Sequence, residues 1–580
     1  MTLDLHPFTP ERLVGTVYAV EGSYVGVAFA DASKLPRSLF GEYVGRGEVG
    51  EFLIVDVGGV GAFGRVVSVE TPVANSDSLG RAEPDRRVPV QGKLQLLSTL
   101  RLDGESFRGI AKYPRVGDPV YAASGPSIAA VLDAAPSGAG TVLIGRLSVD
   151  ESVVVSVPLS RIFGRHLAVV GATGSGKSWT LGHLAECVAS LNGKMILIDA
   201  TGEFRTLAGA THIAFADDAG EPAGTTVVGM PHYRMRESDR NAFLLPSAGA
   251  QLPKLREAVR SLKLARAIGA SSTATTAHKA WVGAGGLIVK ANRSIADFQA
   301  LLYTYSPKIE KLNAPFNISL LAAQVQNECI WPSGRPGTPA AANFGDVNQN
   351  DLGYVSSLIS RINDLLQMPE IMKVIDPDAA GTANAASEIV AWLKDDTSPL
   401  LRISLRNLTF ENHLREIVVN ILGQLLLSAA RRGWFQEKPL VVAVDEAHQF
   451  FDVTVGDEYA TSHLNAFDSI AKEGRKYGLT TCVVTQRPSD LPAGVFSQVG
   501  MTIVHRLADG RDRQRIEQAA AEIDHSATRL LPGLVPGEAI LMGVDFPVPV
   551  SVRIQRPVHP PASDGPDYAA WQKAATTEPD

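Results

Sequence analysis

Between residues 12 and 157 apolar and polar positions alternate in short runs: Thr16–Val20, Tyr24–Phe29, Phe52–Val57, Arg65–Val69, Val142–Leu147 and Val153–Val157. A period of two, rich in Val, Tyr and Phe, predicts half-buried strands. Glu21-Gly22-Ser23 and Gly58-Gly59 supply hairpin turns, because glycine enters the positive-φ conformations that two-residue loops require. Several such strands with no clear helix between them predict a small β-barrel, and no catalytic constellation falls within it.

Near residue 165 the pattern changes. Leu167–Val170 is a short, wholly apolar strand, followed by a Gly-rich loop, a helical segment to about Leu191 and a second apolar strand, Lys194–Ala200. This is the β-loop-α-β opening of a parallel, doubly wound α/β sheet. From about 205 to 395 the strand signal fades. Leu255, Val259, Leu262 and Ile268 lie on one helical face, with Lys254, Arg256, Arg260, Lys263 and Arg266 around it. The default reading of that basic set is the solvated face of an ordinary helix; nucleic-acid contact is the alternative. Ser271–Thr276 and Trp331–Asn350 are loop-like, the latter with Pro332, Pro336 and Pro339.

The α/β pattern resumes at Leu400–Leu405. It continues through a helix (His413–Arg432), a strand (Leu440–Val444), a helix (Ala466–Tyr477) and strands at Thr480–Thr485, Met501–His505, Glu538–Met542 and Val548–Ile554. The expected organisation is an N-terminal β-barrel over 1–160, the first part of an α/β core over 161–204, a helical insertion over 205–395, the rest of the core over 396–555 and a tail over 556–580.

Composition narrows this picture. The 580 residues are 45% hydrophobic and 20% charged, as in a soluble globular protein and unlike a disordered one. A net charge of −7 excludes a whole-surface basic footprint for nucleic acid but leaves room for binding through a few basic groups on loops. Cys187, Cys329 and Cys482 form no CxxC pair, which argues against a zinc or redox site and for a cytosolic protein. Met1–Pro7 has an early acid and no apolar run, so no signal peptide is expected. Ile417–Ala430 is too short and too polar to span a bilayer and fits a buried helix, so no membrane partner is expected.

The candidate chemistry sits on strand ends. Gly171-Ala172-Thr173-Gly174-Ser175-Gly176-Lys177-Ser178 matches the phosphate-binding loop G-x-x-x-x-G-K-[ST], with a strand before it and a helix after it, and these residues with Trp179 are the expected nucleotide contacts. Its glycines let the backbone wrap phosphate oxygens, Lys177 suits the β- and γ-phosphates of ATP, and the Ser178 hydroxyl suits Mg²⁺. Asp445 and Glu446 end the apolar strand Leu440–Val444, an arrangement that suits Mg²⁺ contact by Asp445 and activation of water by Glu446. His448 belongs to no metal motif and is read as structural or coupling. Asp199 and Glu203 end the strand after the loop's helix, where they either orient water or Mg²⁺ or hold an Asx turn. Gln486 ends a third strand, positioned to sense the γ-phosphate. Arg475 lies at a helix end, as an arginine finger for a neighbouring subunit or as cations favoured at a helix C-terminus. Arg165 precedes the loop's strand, at the opposite end from the phosphates, so any catalytic role would be across an interface.

Taken in order, the barrel-like N-terminus, GATGSGKS, IDATGEF, VVAVDEAH, the EGRKYGL helix end, VVTQRPSDLP and LVPGEAILMG resemble the HerA family of the HerA/FtsK superfamily, over about residues 12–555. The loop is generic; the GRKYG and TQRPSDLP segments and the barrel single out the family. The resemblance implies a RecA/FtsK-like P-loop ATPase core, a homohexameric ring with double-stranded DNA in the channel, and ATP sites between subunits. Lys177, Ser178, Asp445, Glu446 and Gln486 would then act within one subunit, and Arg165 and Arg475 across the interface. It also implies a barrel, of a type shared with rotary ATP synthases, that docks an effector: a NurA-like or other nuclease, or a sirtuin-like NADase. The long insertion departs from the family pattern. Two functions follow, a DNA-translocating motor working with an effector, or an ATP-gated scaffold that assembles and regulates one. The missing membrane segments disfavour a secretion or conjugation ATPase.

Overall fold

The alternating runs near the N-terminus do close on themselves. In the computed structural model, Leu13–Glu21 pairs with Tyr24–Phe29 on one side and Pro119–Ala122 on the other, and the ring continues through Phe52–Asp56, Val60–Glu70 and Val90–Arg101 back to Tyr24–Phe29. Successive side chains of a strand face opposite ways, so Val25 and Val27, and Leu53 and Val55, fill the interior together. Gly58 and Gly59, at φ 69° and 84°, make the tight turn between Asp56 and Val60. The structure describes residues 7–562 except 31–37, 40–41, 44, 72–89, 103–104, 133–139, 334–341, 458–459, 520–524, 545 and 547. Met1–His6, Pro336, Pro339 and all of the tail beyond 562 lie outside the described residues.

Two features of this region differ from the sequence reading. A short helix, Gly125–Val131, interrupts the strands. Thr141–Leu147 and Val154–Pro158, expected to end the barrel, are not part of it. They pair with each other, and the first pairs with Val550–Ile554. Alternation marks a segment as a strand but does not choose its partner, which long-range register decides.

The chain divides into two units. The first holds residues 1–195, 439–448 and 480–580. Besides the barrel it carries a run of strands in the order Val154–Pro158, Thr141–Leu147, Val550–Ile554, Glu538–Met542, Val499–Val504, His166–Val170, Leu479–Thr485 and Leu440–Val444. His166–Val170 is parallel to both of its neighbours, and its residues are all buried, as a central parallel strand requires. The start of the tail lies on the helix Lys177–Ser190: the Val558 and His559 N–H groups donate to the Glu186 carboxylate at 2.8 and 2.7 Å.

The second unit holds residues 196–438 and 449–479. The span read as helical carries Gln251–Gly269, Ile295–Ile309 and Gln349–Leu366, and Leu255, Val259, Leu262 and Ile268 are buried as expected. It also carries three strands, Ala210–Phe215, Thr226–Gly229 and Ala383–Asn384, parallel to one another and to Leu400–Ser404. They are short and only partly apolar, which is why their period is weak. The basic set on Gln251–Gly269 is largely paired: Arg256 with Glu237, Arg260 with Glu310, and Lys254 with Glu257 and Asp351. That is the solvated-face reading. Leu414–Arg431 is the buried helix anticipated around Ile417–Ala430. Among the described residues no helix is long and apolar enough to cross a membrane, and no cluster of His, Cys, Asp and Glu could hold a metal.

Candidate active site

Val170 ends its strand, and the chain must turn at once into the helix Lys177–Ser190. Gly174 and Gly176, at φ 71° and 118°, adopt backbone that other residues reach only with strain. Gly171 is required for a different reason: a Cβ there would lie 2.5 Å from the His505 Cβ and 2.6 Å from the Ser175 Oγ. The loop is braced from within and behind. Ser175 Oγ and Lys177 Nζ donate to the Ala172 carbonyl at 2.6 and 3.1 Å. The Ala172 N–H donates to the Arg506 carbonyl at 2.8 Å, and the Gly537 N–H to the Ser175 carbonyl at 3.0 Å. Lys177 is buried and Ser178 half-buried in the first helical turn, where backbone N–H groups have no partner inside the helix and the dipole favours an anion. Trp179 is half-buried beneath the Arg556 guanidinium, 5.6 Å from its ring centre.

Strand order converges the other groups. Leu479–Thr485 lies between the loop's strand and Leu440–Val444, so Gln486 emerges between the loop and the acids. Thr173 Oγ1 donates to Gln486 Oε1 at 2.6 Å, which ties the loop to that strand end. Asp445 is 5% exposed. Glu446 follows at φ 48°, a left-handed conformation that costs a non-glycine residue about 1–3 kcal/mol and recurs at functional sites. Its Oε2 is buried without a well-formed hydrogen bond, although His448 Nδ1 lies 3.3 Å away. That nitrogen also lies 3.2 Å from Thr485 Oγ1, so the imidazole touches both the acid and the neighbouring strand. Burial lowers the His448 pKa, against the charges of Glu446 and Asp490 that raise it, and the ring is neutral at pH 7. A cavity of 450 Å³ opens beside Thr173 and Gln486 and is lined also by Arg487, Asp490, Asp509 and Arg511.

His505 was not anticipated. It ends Val499–Val504, is wholly buried behind the loop, and has its Cε1 3.3 Å from where a Gly176 Cβ would stand. Nδ1 lies 2.8 Å from the Glu538 carbonyl, which can only accept, so Nδ1 carries the proton and Nε2 accepts from Thr180 Oγ1 at 2.8 Å. Burial pushes its pKa down to about 4. The available signal was a histidine closing an apolar strand; nothing in the linear pattern placed that strand beside the loop.

Three further residues carry candidate roles. Asp199 holds its own turn, accepting from the Gly202, Glu203 and Phe204 N–H groups at 2.8, 3.2 and 3.0 Å, and from Arg402 Nε at 2.7 Å. Of the two readings left open, the turn is the one observed. Arg475 is exposed in the second unit, on the short helix Gly474–Tyr477. Arg165 is half-buried at the start of the loop's strand, roughly 20 Å from the loop at ~3.3 Å per residue.

A parallel sheet, a strand–loop–helix phosphate cradle and two acids on a nearby strand end define a P-loop ATPase. The family described as "Helicase HerA, central domain" matches residues 142–276, and "Helicase HerA-like C-terminal" matches 417–563. The chain thus carries two segments that match HerA-type domains, central and C-terminal. It is 22% identical to a probable helicase of Methanocaldococcus jannaschii, over 80% of this chain and 76% of the relative. It is 22% identical to the DNA double-strand break repair helicase HerA of Sulfurisphaera tokodaii, over 84% of this chain and 83% of that one. Among solved structures it is similar to VirB4 of Thermoanaerobacter pseudethanolicus, at 12% identity and a TM-score of 0.44, over 72% of this chain and 97% of that one.

Proposed function

We propose that the chain is the subunit of a homohexameric motor that couples MgATP hydrolysis to translocation on double-stranded DNA and works with an effector protein. The observation that carries this reading is the joining of the phosphate loop to the neighbouring strand end through Thr173 and Gln486, with Asp445 and the strained Glu446 one strand further on. Extended similarity to a DNA double-strand break repair helicase supports DNA as the track. In this scheme the loop Gly171–Ser178 holds the triphosphate and Lys177 neutralises its terminal phosphates. The hydroxyl of Ser178 and the carboxylate of Asp445 are hard oxygen donors that suit Mg²⁺, which would supply charge neutralisation at the phosphates. Glu446, with an oxygen not committed to a hydrogen bond, polarises water, and Gln486 reports nucleotide state to the loop. Arg475, exposed, is the better placed of the two arginines to serve a neighbour's site. The barrel docks the effector, a NurA-like or other nuclease or a sirtuin-like NADase, in end processing or anti-phage defence. The second reading is an ATP-gated scaffold without processive translocation.

ATPase rate against added random-sequence duplex, in low and moderate salt, separates the two. Stimulation that fades with salt supports the motor, because phosphate contacts release counterions and carry no base information. No response to DNA, with an effector still activated, overturns it in favour of the scaffold.

A further inference from the structure

Away from the ATP site, the second unit carries an open cleft of 460 Å³ lined by Arg234, Arg236, Arg431 and Arg432, with Gln424 and Ser428. Arg431 is matched by Glu473. Arg432 donates to the Ser428 carbonyl and lies over Trp434. Among the described residues, Arg234, Arg236 and Arg432 have no carboxylate within ion-pair distance, and the buried Arg234 Nε makes no hydrogen bond. Cations in the last turn of Leu414–Arg431 are favoured by the helix dipole, which accounts for Arg431 and Arg432. It does not account for Arg234 and Arg236, which come from a different part of the chain. Arg234 is half-buried while Arg236 and Arg432 stand at the solvent edge of the same volume, and the buried Asp239 carboxylate, which accepts from Gln424, acts on Arg236 from below; the gathered positive charge still exceeds that one acid and favours an anion. The arginines' planar forks match the paired oxygens of an oxyanion, phosphate among them, better than a halide, and several forks around one volume suit the multiple oxygens and higher charge of phosphates.

We propose that this cleft is a phosphate-binding site, centred on Arg234 and Arg236, taking either a nucleic-acid backbone or the polyphosphate of a nucleotide held by another copy of the chain. Only the source of the phosphate depends on the motor reading; the site does not.

The test uses the full chain carrying Arg234→Gln with Arg236→Gln, and Arg236→Lys as the charge-keeping control, each checked for wild-type melting. Affinity for a random-sequence duplex is measured from 50 to 200 mM salt, and ATP turnover and ATP affinity are measured without DNA. If the phosphates are those of DNA, the log–log salt slope falls by about one for each phosphate no longer neutralised. Affinity at moderate salt then drops roughly tenfold, and turnover without DNA is unchanged. If they belong to a neighbour's nucleotide, turnover without DNA falls at unchanged ATP affinity, and the DNA slope is unchanged. The lysine variant recovers much of either loss. A glutamine pair that melts like wild type and leaves both readouts unchanged overturns the site. Failure of the wild type to bind DNA at all would count against the motor reading, while the turnover arm still decides the site.

Discussion

His505 makes the phosphate loop's support sensitive to acid. In the folded chain its ring is buried and neutral, donating to the Glu538 carbonyl and accepting from Thr180. Protonation removes the acceptor and adds a charge behind Lys177, and burial holds the pKa down at about 4. An unfolded histidine takes up its proton near pH 6.5. The unfolded state therefore binds more protons across the window from 6.5 to 4, so stability falls as pH is lowered through it and is restored as pH rises. The gap of about 2.5 units, at about 1.4 kcal/mol each, amounts to roughly 3.5 kcal/mol of stability present at pH 7 and lost as pH falls through 4. The perturbation is His505→Asn, which keeps a donor near the Glu538 carbonyl and does not titrate. The assay is denaturant or thermal unfolding of both proteins at several pH values between 7 and 4, read as the difference in slope. The variant should be less stable at pH 7, through loss of the Thr180 bond, yet have the shallower pH dependence. Equal slopes in the two proteins would refute the reasoning.

Lys177→Ala should abolish ATP binding, while Glu446→Gln should keep binding and lose turnover; equal losses of affinity, by nucleotide titration, would sink the division of roles. Arg402→Met leaves Asp199 and Glu221 buried without their shared cation and should cost about 3–5 kcal/mol, checked by denaturant melts. Burial works to raise the Glu221 pKa, but bonds from Arg402 and Ser404 hold it below the ordinary range. Its stabilisation is thus complete above the unfolded value of about 4.3 and fades as pH falls through the folded one, a dependence the variant should lack. Native mass spectrometry should show a hexamer, and Arg475→Ala should lower turnover without dispersing it; a monomer of full activity would refute the interfacial role.

Much of the ATP site could be read from the chain because its parts are local. Gly171–Ser178 is one continuous segment whose strand and helix are visible on either side, and Leu440–Val444 announces Asp445 and Glu446 by its unbroken apolar run. What the pattern could not supply was lateral order. Thr141–Leu147 looks like any barrel strand until it is seen paired to Val550–Ile554, hundreds of residues away. The same blindness hid His505, whose role depends on Val499–Val504 lying beside the loop's strand. Asp199 shows the converse limit. Its place at a strand end suited catalysis and turn formation equally, and only the hydrogen bonds to its own following residues and the buried Arg402 distinguish them. The strands within 205–395 escaped because two or three apolar residues beside Thr211 and His212 carry too little period to register.

The motor reading is tested most directly by displacement of a third strand from duplex DNA. A triplex-forming oligonucleotide is placed beyond a random-sequence loading segment, and its release is followed with ATP, without ATP, and with Glu446→Gln as the hydrolysis-deficient control. Release should require ATP, lag in proportion to the length of duplex before the triplex, and be absent in the variant. Vigorous ATP hydrolysis by the wild type on the same DNA with no release above the ATP-free rate, in the presence of its effector, would contradict the motor.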